Sequence, residues 1–156
     1  MDQDPVESSE RLWVKRPMVE SDYNFVAYTW LASAKFAPDP TLMGVTRDND
    51  ALKRYWIGNE RVVQSLLDNC SVTVAEAETD GSKVIIGWVC HEDTSVVHYC
   101  LTRRKFTSQG VCRDLMQPFM DVAPGTVLYT SRPATRNLRI PAHFKFDPYR
   151  ALNWLK

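Results

Sequence analysis

The stretch VIIGWVCHEDTSVVHYCLTRRKFTSQGVCRDLM, Val84 to Met116, decides the fold. It reads as two apolar strands joined by a polar turn, then a short loop whose glycine opens a helix. That order predicts an anion-binding turn. The first amides of a helix have no carbonyl partners, and with the helix dipole behind them they can hold a phosphate lying against the preceding strand. Thr107, Ser108, Gln109 and Gly110 would form the cradle.

Working outward, Leu12 to Arg16 alternates as a first strand, and residues 1 to 10 form a polar, acidic tail ahead of one domain over 11 to 156. Ser21 is placed to cap a helix through Phe25, Val26, Trp30 and Leu31 that ends near Lys35, before Pro38-Asp39-Pro40. Asp50 to Asn69 carries Trp56, Ile57, Val63, Leu66 and Leu67 at helical spacing, with a break expected at Gly58. Val72 and Val74, the dipeptide Asp80-Gly81 and the run from Val84 to His91 predict a hairpin, because period-two apolar runs flank a pair suited to positive φ. Val96 to Arg103 continues the meander. Gln109 to Val122 is amphipathic through Val111, Leu115, Met116 and Phe119, and Pro118 should bend it or end it early. Strands follow at Val127 to Thr130 and His143 to Phe146. This order predicts an α/β fold with a central sheet flanked by helices.

Composition narrows the function. The 156 residues fit one domain, and 19 acidic against 19 basic residues argue against a dedicated nucleic-acid binder. No apolar run approaches the ~18 to 20 residues needed to span a bilayer, and the acidic opening is unlike a signal peptide, so a cytoplasmic protein is expected. Cys70, Cys90, Cys100 and Cys112 show no C-x-x-C spacing and have no histidine close enough in sequence for a zinc knuckle, which predicts reduced thiols. Cys90 and Cys100 fall in apolar strands as small hydrophobes. Cys112, in the first turn of a helix, is either packed or a reactive thiol.

The segment from Cys100 to Arg113 resembles the GNAT superfamily of N-acetyltransferases, and in particular its divergent phage-encoded members. That family places a strand end, then Arg/Gln-x-x-Gly-x-Gly/Ala at a helix start. Here Cys100-Leu101-Thr102 stands at the strand end and Thr107-Ser108-Gln109-Gly110-Val111-Cys112 at the loop. The middle glycine matches; Thr107 stands where the family has Arg or Gln, and Cys112 where it has a small residue. Further likenesses are Arg16-Pro17-Met18 with Glu20-Ser21-Asp22, Trp30-Leu31-Ala32-Ser33, Ile86-Gly87-Trp88 and His98-Tyr99.

The resemblance implies a mixed sheet flanked by helices, acetyl-CoA or another acyl-CoA as cofactor, and transfer to an amine on a protein or small molecule. Cofactor contacts would come from residues 100 to 102, Arg103, the loop through Cys112, and Arg113, with Arg104 and Lys105 adding charge. Asn137 matches an asparagine that meets the pantetheine arm. Seven residues on, where the family often has a tyrosine acid, stands Phe144, which leaves Tyr149 or Tyr129 for that role. His98 is the candidate base, against a histidine simply hydrogen bonded on a sheet face; His91 and Glu92 are weaker candidates. Arg132, Arg136 and Arg139 suggest an edge for a partner or an acidic substrate. The competing expectation is a catalytically silent member of this fold serving as a structural or interaction protein, such as an internal virion component. Homo-oligomerisation is left open.

Overall fold

A computed structural model of the protein describes residues 12–36, 49–121, 125–131 and 140–155. Strand β1 (Trp13–Pro17) is followed by a 3₁₀ turn at Glu20–Asp22, helices α1 (Tyr23–Phe36) and α2 (Asn49–Asn69), and strands β2 (Ser71–Thr79), β3 (Ser82–Glu92) and β4 (Val96–Thr102). A 3₁₀ turn at Arg104–Phe106 leads to helix α3 (Val111–Met120), then β5 (Val127–Tyr129), β6 (Phe144–Phe146) and a 3₁₀ turn at Pro148–Leu152. Among the described residues, six strands lie in sequence order in one sheet. The first four are antiparallel neighbours, while β5 runs parallel to β4 and β6 parallel to β5, so the sheet is mixed. The architecture is therefore α/β, a mixed central sheet flanked by helices, as the order of elements predicts.

Local chemistry explains most of these elements. Asp80 (φ 51°) and Gly81 (φ 77°) both take the left-handed conformation that matches a two-residue turn to the twist of β2 and β3. Helix α2 runs without interruption through Gly58, contrary to the expected break. One glycine costs about 1 kcal/mol against alanine, and the buried stripe of Val63, Leu66 and Leu67 outweighs that. Nor does Ser21 cap α1. Instead the carboxylate of Asp22 accepts the Val19 amide at 2.9 Å, and a 3₁₀ turn leads into the helix.

Pro118 lies inside α3, which continues two residues further to Met120. A proline frees the carbonyl four residues before it, here that of Asp114, and the Lys15 ammonium donates to this oxygen at 3.1 Å. The helix is thus repaired from β1.

The sheet separates two packed faces. Helices α1 and α2 cover one, where Trp30, Trp88 and Tyr99 bring their rings within 5.2 to 5.7 Å of one another beside Val26, Leu66 and Val74. The Trp88 indole N–H donates to Thr29 Oγ1 at 3.0 Å, which satisfies the polar atom that burial would otherwise strand. Helix α3 covers the other face with Val111, Leu115, Met116 and Phe119 against Ala75, Ile86, Val89 and Val97. It lies close because of Gly87: a Cβ there would meet Leu101 O and Val111 Cγ1 at 2.9 Å. Among the described residues, no helix is long and apolar enough to cross a membrane.

Candidate functional site

Strand β4 changes character along its length. Cys90 pairs with Tyr99 and His91 with Val97, so His98 is the extra residue of a β-bulge. Bulges unpair one residue and re-aim its side chain. His98 is 1% exposed, its Nδ1 lies 3.0 Å from Thr130 Oγ1, and its Nε2 lies 2.8 Å from Glu92 Oε2. Arg150 donates to the other Glu92 oxygen at 3.0 Å. Burial works to raise the Glu92 carboxyl, but the bonds from His98 and Arg150 outweigh it and hold the group below the usual carboxylate range.

Among the described residues β4 meets β5 only at Val96 and Val97, while from Tyr99 to Thr102 its ladder partners all lie on β3. Thr102 Oγ1, a buried atom on this half-paired stretch, has no hydrogen-bond partner. Leu101 packs toward α1 and α2, whereas Cys100 turns to the α3 face, with its sulfur 3.6 Å from that of Cys112. This contact lowers the Cys112 thiol to about 7 against the opposing effect of burial and, together with burial, pushes Cys100 up.

Beyond β4 the chain exposes Thr107, Ser108, Gln109 and Gly110. The Thr107 hydroxyl donates to Arg104 O at 2.9 Å. Ser108 (φ 68°) and Gly110 (φ 89°) both take the left-handed conformation. Nothing lies within 4 Å of where a Gly110 Cβ would project. The first bond of α3 runs from the Asp114 amide to Gly110 O, which leaves the amides of Val111, Cys112 and Arg113 as the orphan donors of the helix start. Arg103 sets its guanidinium over the Phe25 ring, 5.8 Å from its centre, while Arg104, Lys105 and Arg113 are exposed. The structure thus brings residues 100 to 113 into one strand, loop and helix start.

Other expected residues stand apart from that loop. Tyr149 is 77% exposed in the last 3₁₀ turn, one residue from the arginine that holds Glu92. Tyr129, on β5, packs its ring against Phe144 and Phe146. His91 bonds Thr73 Oγ1 and Asp93 O. Asn137, Arg132, Arg136 and Arg139 lie outside the described residues.

One convergence escaped the sequence. Cys70, from the junction of α2 and β2, joins Glu92 and His98 so that a sulfur, a carboxylate oxygen and a ring nitrogen lie within 4.8 Å of one another. The neighbouring Cys90 thiol and, with a smaller contribution, His98 lower Cys70 to about 6 against the opposing effect of burial. Spacing along the chain carries no sign of this cluster, because its members come from three elements and the bulge that turns His98 has no sequence signature.

No protein-family model matches the sequence, and no curated protein matches it. Among solved structures, a GCN5-related N-acetyltransferase described as an aminotransferase, class-II, from Rhodopseudomonas palustris is similar at a TM-score of 0.47 and 14% identity. The match covers 69% of this chain and 63% of that one, so the chain spans less than two thirds of that protein's length. Likeness at this level transfers neither family nor activity.

Proposed function

We propose that the protein is an acyl-CoA-dependent N-acyltransferase of the GNAT type, with acetyl-CoA as donor and an amine as acceptor. The observation that carries this reading is the half-paired stretch of β4 running into a loop with left-handed Ser108 and Gly110 and then a helix start. An open strand edge can receive the amides of an extended ligand as a neighbouring strand would. On this reading Cys100, Leu101 and Thr102 line the pantetheine arm, with the Thr102 hydroxyl available to it. The amides from Ser108 to Arg113 receive phosphate, and Arg103, Arg104, Lys105 and Arg113 supply compensating charge. Asn137 is assigned to the arm, following the family motif.

The bound thioester supplies the activated acyl group. The chain's own task is to orient it and to take a proton from the incoming ammonium. We assign the second role to His98, which gives up its Nδ1 contact with Thr130 to accept the proton, with Glu92 stabilising the resulting imidazolium. Exposed Tyr149 is assigned as the acid that protonates the leaving thiolate. The departures at Thr107 and Cys112 remove a long donor and narrow the approach to the backbone, so weaker cofactor binding than the full motif provides is expected.

A second reading is favoured by the burial of His98: a catalytically silent phage-encoded member of the fold, used inside the virion or as an interaction protein. Calorimetric titration with acetyl-CoA separates the two. Binding is expected in the parent and lost in Gly110→Glu, whose side chain and charge would occupy the phosphate site. Equal heats in both proteins sink the cofactor site. Binding without transfer to any amine favours the silent reading.

A further inference from the structure

We infer that Cys70, Glu92 and His98 form a three-ligand site for a divalent cation of the zinc class. The inference does not rest on the cofactor site, and a cation held here would take His98 and Glu92 out of the proton-accepting role assigned to them above. Tetrahedral zinc, with bonds of about 2.0 to 2.3 Å, holds its donors about 3.3 to 3.8 Å apart, and these three atoms already lie within 4.8 Å of one another. A set of one sulfur, one nitrogen and one oxygen suits a borderline-soft ion. Magnesium and calcium demand oxygen cages, and copper(I) favours all-sulfur sites.

The surrounding bonds prepare the donors. Arg150 occupies Glu92 Oε1 at 3.0 Å and leaves Oε2 facing His98. The Thr130 hydroxyl can donate to the His98 carbonyl at 3.4 Å while accepting from Nδ1–H at 3.0 Å. In that tautomer Nε2 is free to ligate, the arrangement by which an outer hydrogen bond orients a ligating histidine. Nε2 lies 2.8 Å from Glu92 Oε2, so the cation would take the place of the hydrogen that bridges them in the metal-free protein.

Position completes the case. The His98 side chain is fully enclosed and that of Glu92 is 12% exposed, while Cys70 is only partly buried and offers the route of entry. Its amide is fixed by Leu66 O at 2.8 Å. Binding displaces the thiol proton of Cys70 and the proton shared by His98 and Glu92. The cation would bind together the end of α2, the end of β3 and the bulge of β4, with its fourth position toward solvent.

Cobalt(II) is the probe, since a cobalt–thiolate bond absorbs in the near ultraviolet. Titrating the full chain is expected to give this band at one equivalent, with zinc displacing it. Cys70→Ser should abolish the band, Glu92→Gln should weaken binding at least about tenfold, and Cys112→Ser should leave both unchanged. Should Cys70→Ser fail to fold, zinc should still protect Cys70 of the native chain from alkylation, mapped by peptide mass spectrometry. The inference is overturned if the folded native chain gives no thiolate band, if the band survives Cys70→Ser or disappears in Cys112→Ser, or if zinc leaves alkylation of Cys70 unaffected.

Discussion

Among the described residues, strand β1 and the far half of β4 each have a strand partner on one side only, yet the two are finished in opposite ways. Along β1 the side chains close the border. Trp13 donates to Asp114 at 2.8 Å, Lys15 pairs with the same carboxylate at 3.1 Å, and Arg16 joins Asp22 at 2.6 Å to Glu76 at 2.7 Å. The far half of β4 carries no comparable ion-pair closure among the described residues: its Thr102 hydroxyl has no partner there, and the strand runs into an exposed loop. An edge strand must be covered, charged or paired to avoid unwanted association. The first edge meets that need with its own residues; the second, among the described residues, does not, which is why the proposed cofactor is placed there.

The sharpest way to break the contrast is to open β1. Arg16→Leu leaves Asp22 and Glu76 facing each other's charge without their shared cation, and about 2 to 4 kcal/mol of stability should be lost. Urea unfolding measures this. A loss below about 0.5 kcal/mol would mean that backbone pairing alone holds β1, because a pair contributing so little is equivalent to an exposed one.

Acid should loosen the same border less abruptly. The Arg16 guanidinium holds the Asp22 carboxyl below its usual range, against the opposing effect of burial. Asp22 therefore contributes stability that is present above its unfolded value, about 3.9, and is lost as pH falls through its lower folded value. The urea midpoint should decline below about pH 4, and Asp22→Asn should reduce that decline. An unchanged pH profile in Asp22→Asn would remove the ion pair from the account.

The smallest effect tests the open edge. Thr102→Val replaces a buried hydroxyl that has no partner, so stability should stay level or rise by up to about 1 kcal/mol, while acetyl-CoA affinity falls. A clear loss of stability would show that the hydroxyl already serves the fold, and the two edges would then differ less than their bonding suggests.

Much of the architecture was legible because it rests on local rules. The hairpin was visible in Asp80-Gly81, where two consecutive left-handed residues are needed, and α3 in the glycine that precedes an amphipathic run. The errors came where tertiary packing overrides a local signal, as in the passage of α2 through Gly58, whereas α3 stops at Met120, two residues past Pro118. The strand, loop and helix start of the candidate site are contiguous in the chain, so a motif could reveal them. The meeting of Cys70, Glu92 and His98 depends on register and on a single bulge, which no periodicity records.

Gly87 gives the open edge a dimension of its own. The two 2.9 Å approaches that a side chain there would make, to the backbone of β4 and to the first residue of α3, mean that the missing methyl group sets the spacing between helix and sheet. The loop that ends at Gly110 hangs from that same helix start, so its height above the strand follows the same spacing. Gly87 thereby acts as a gauge between helix and sheet: any substitution that thickens the sheet there shifts the loop relative to the edge of β4, and with it the spacing on which the proposed cofactor site depends.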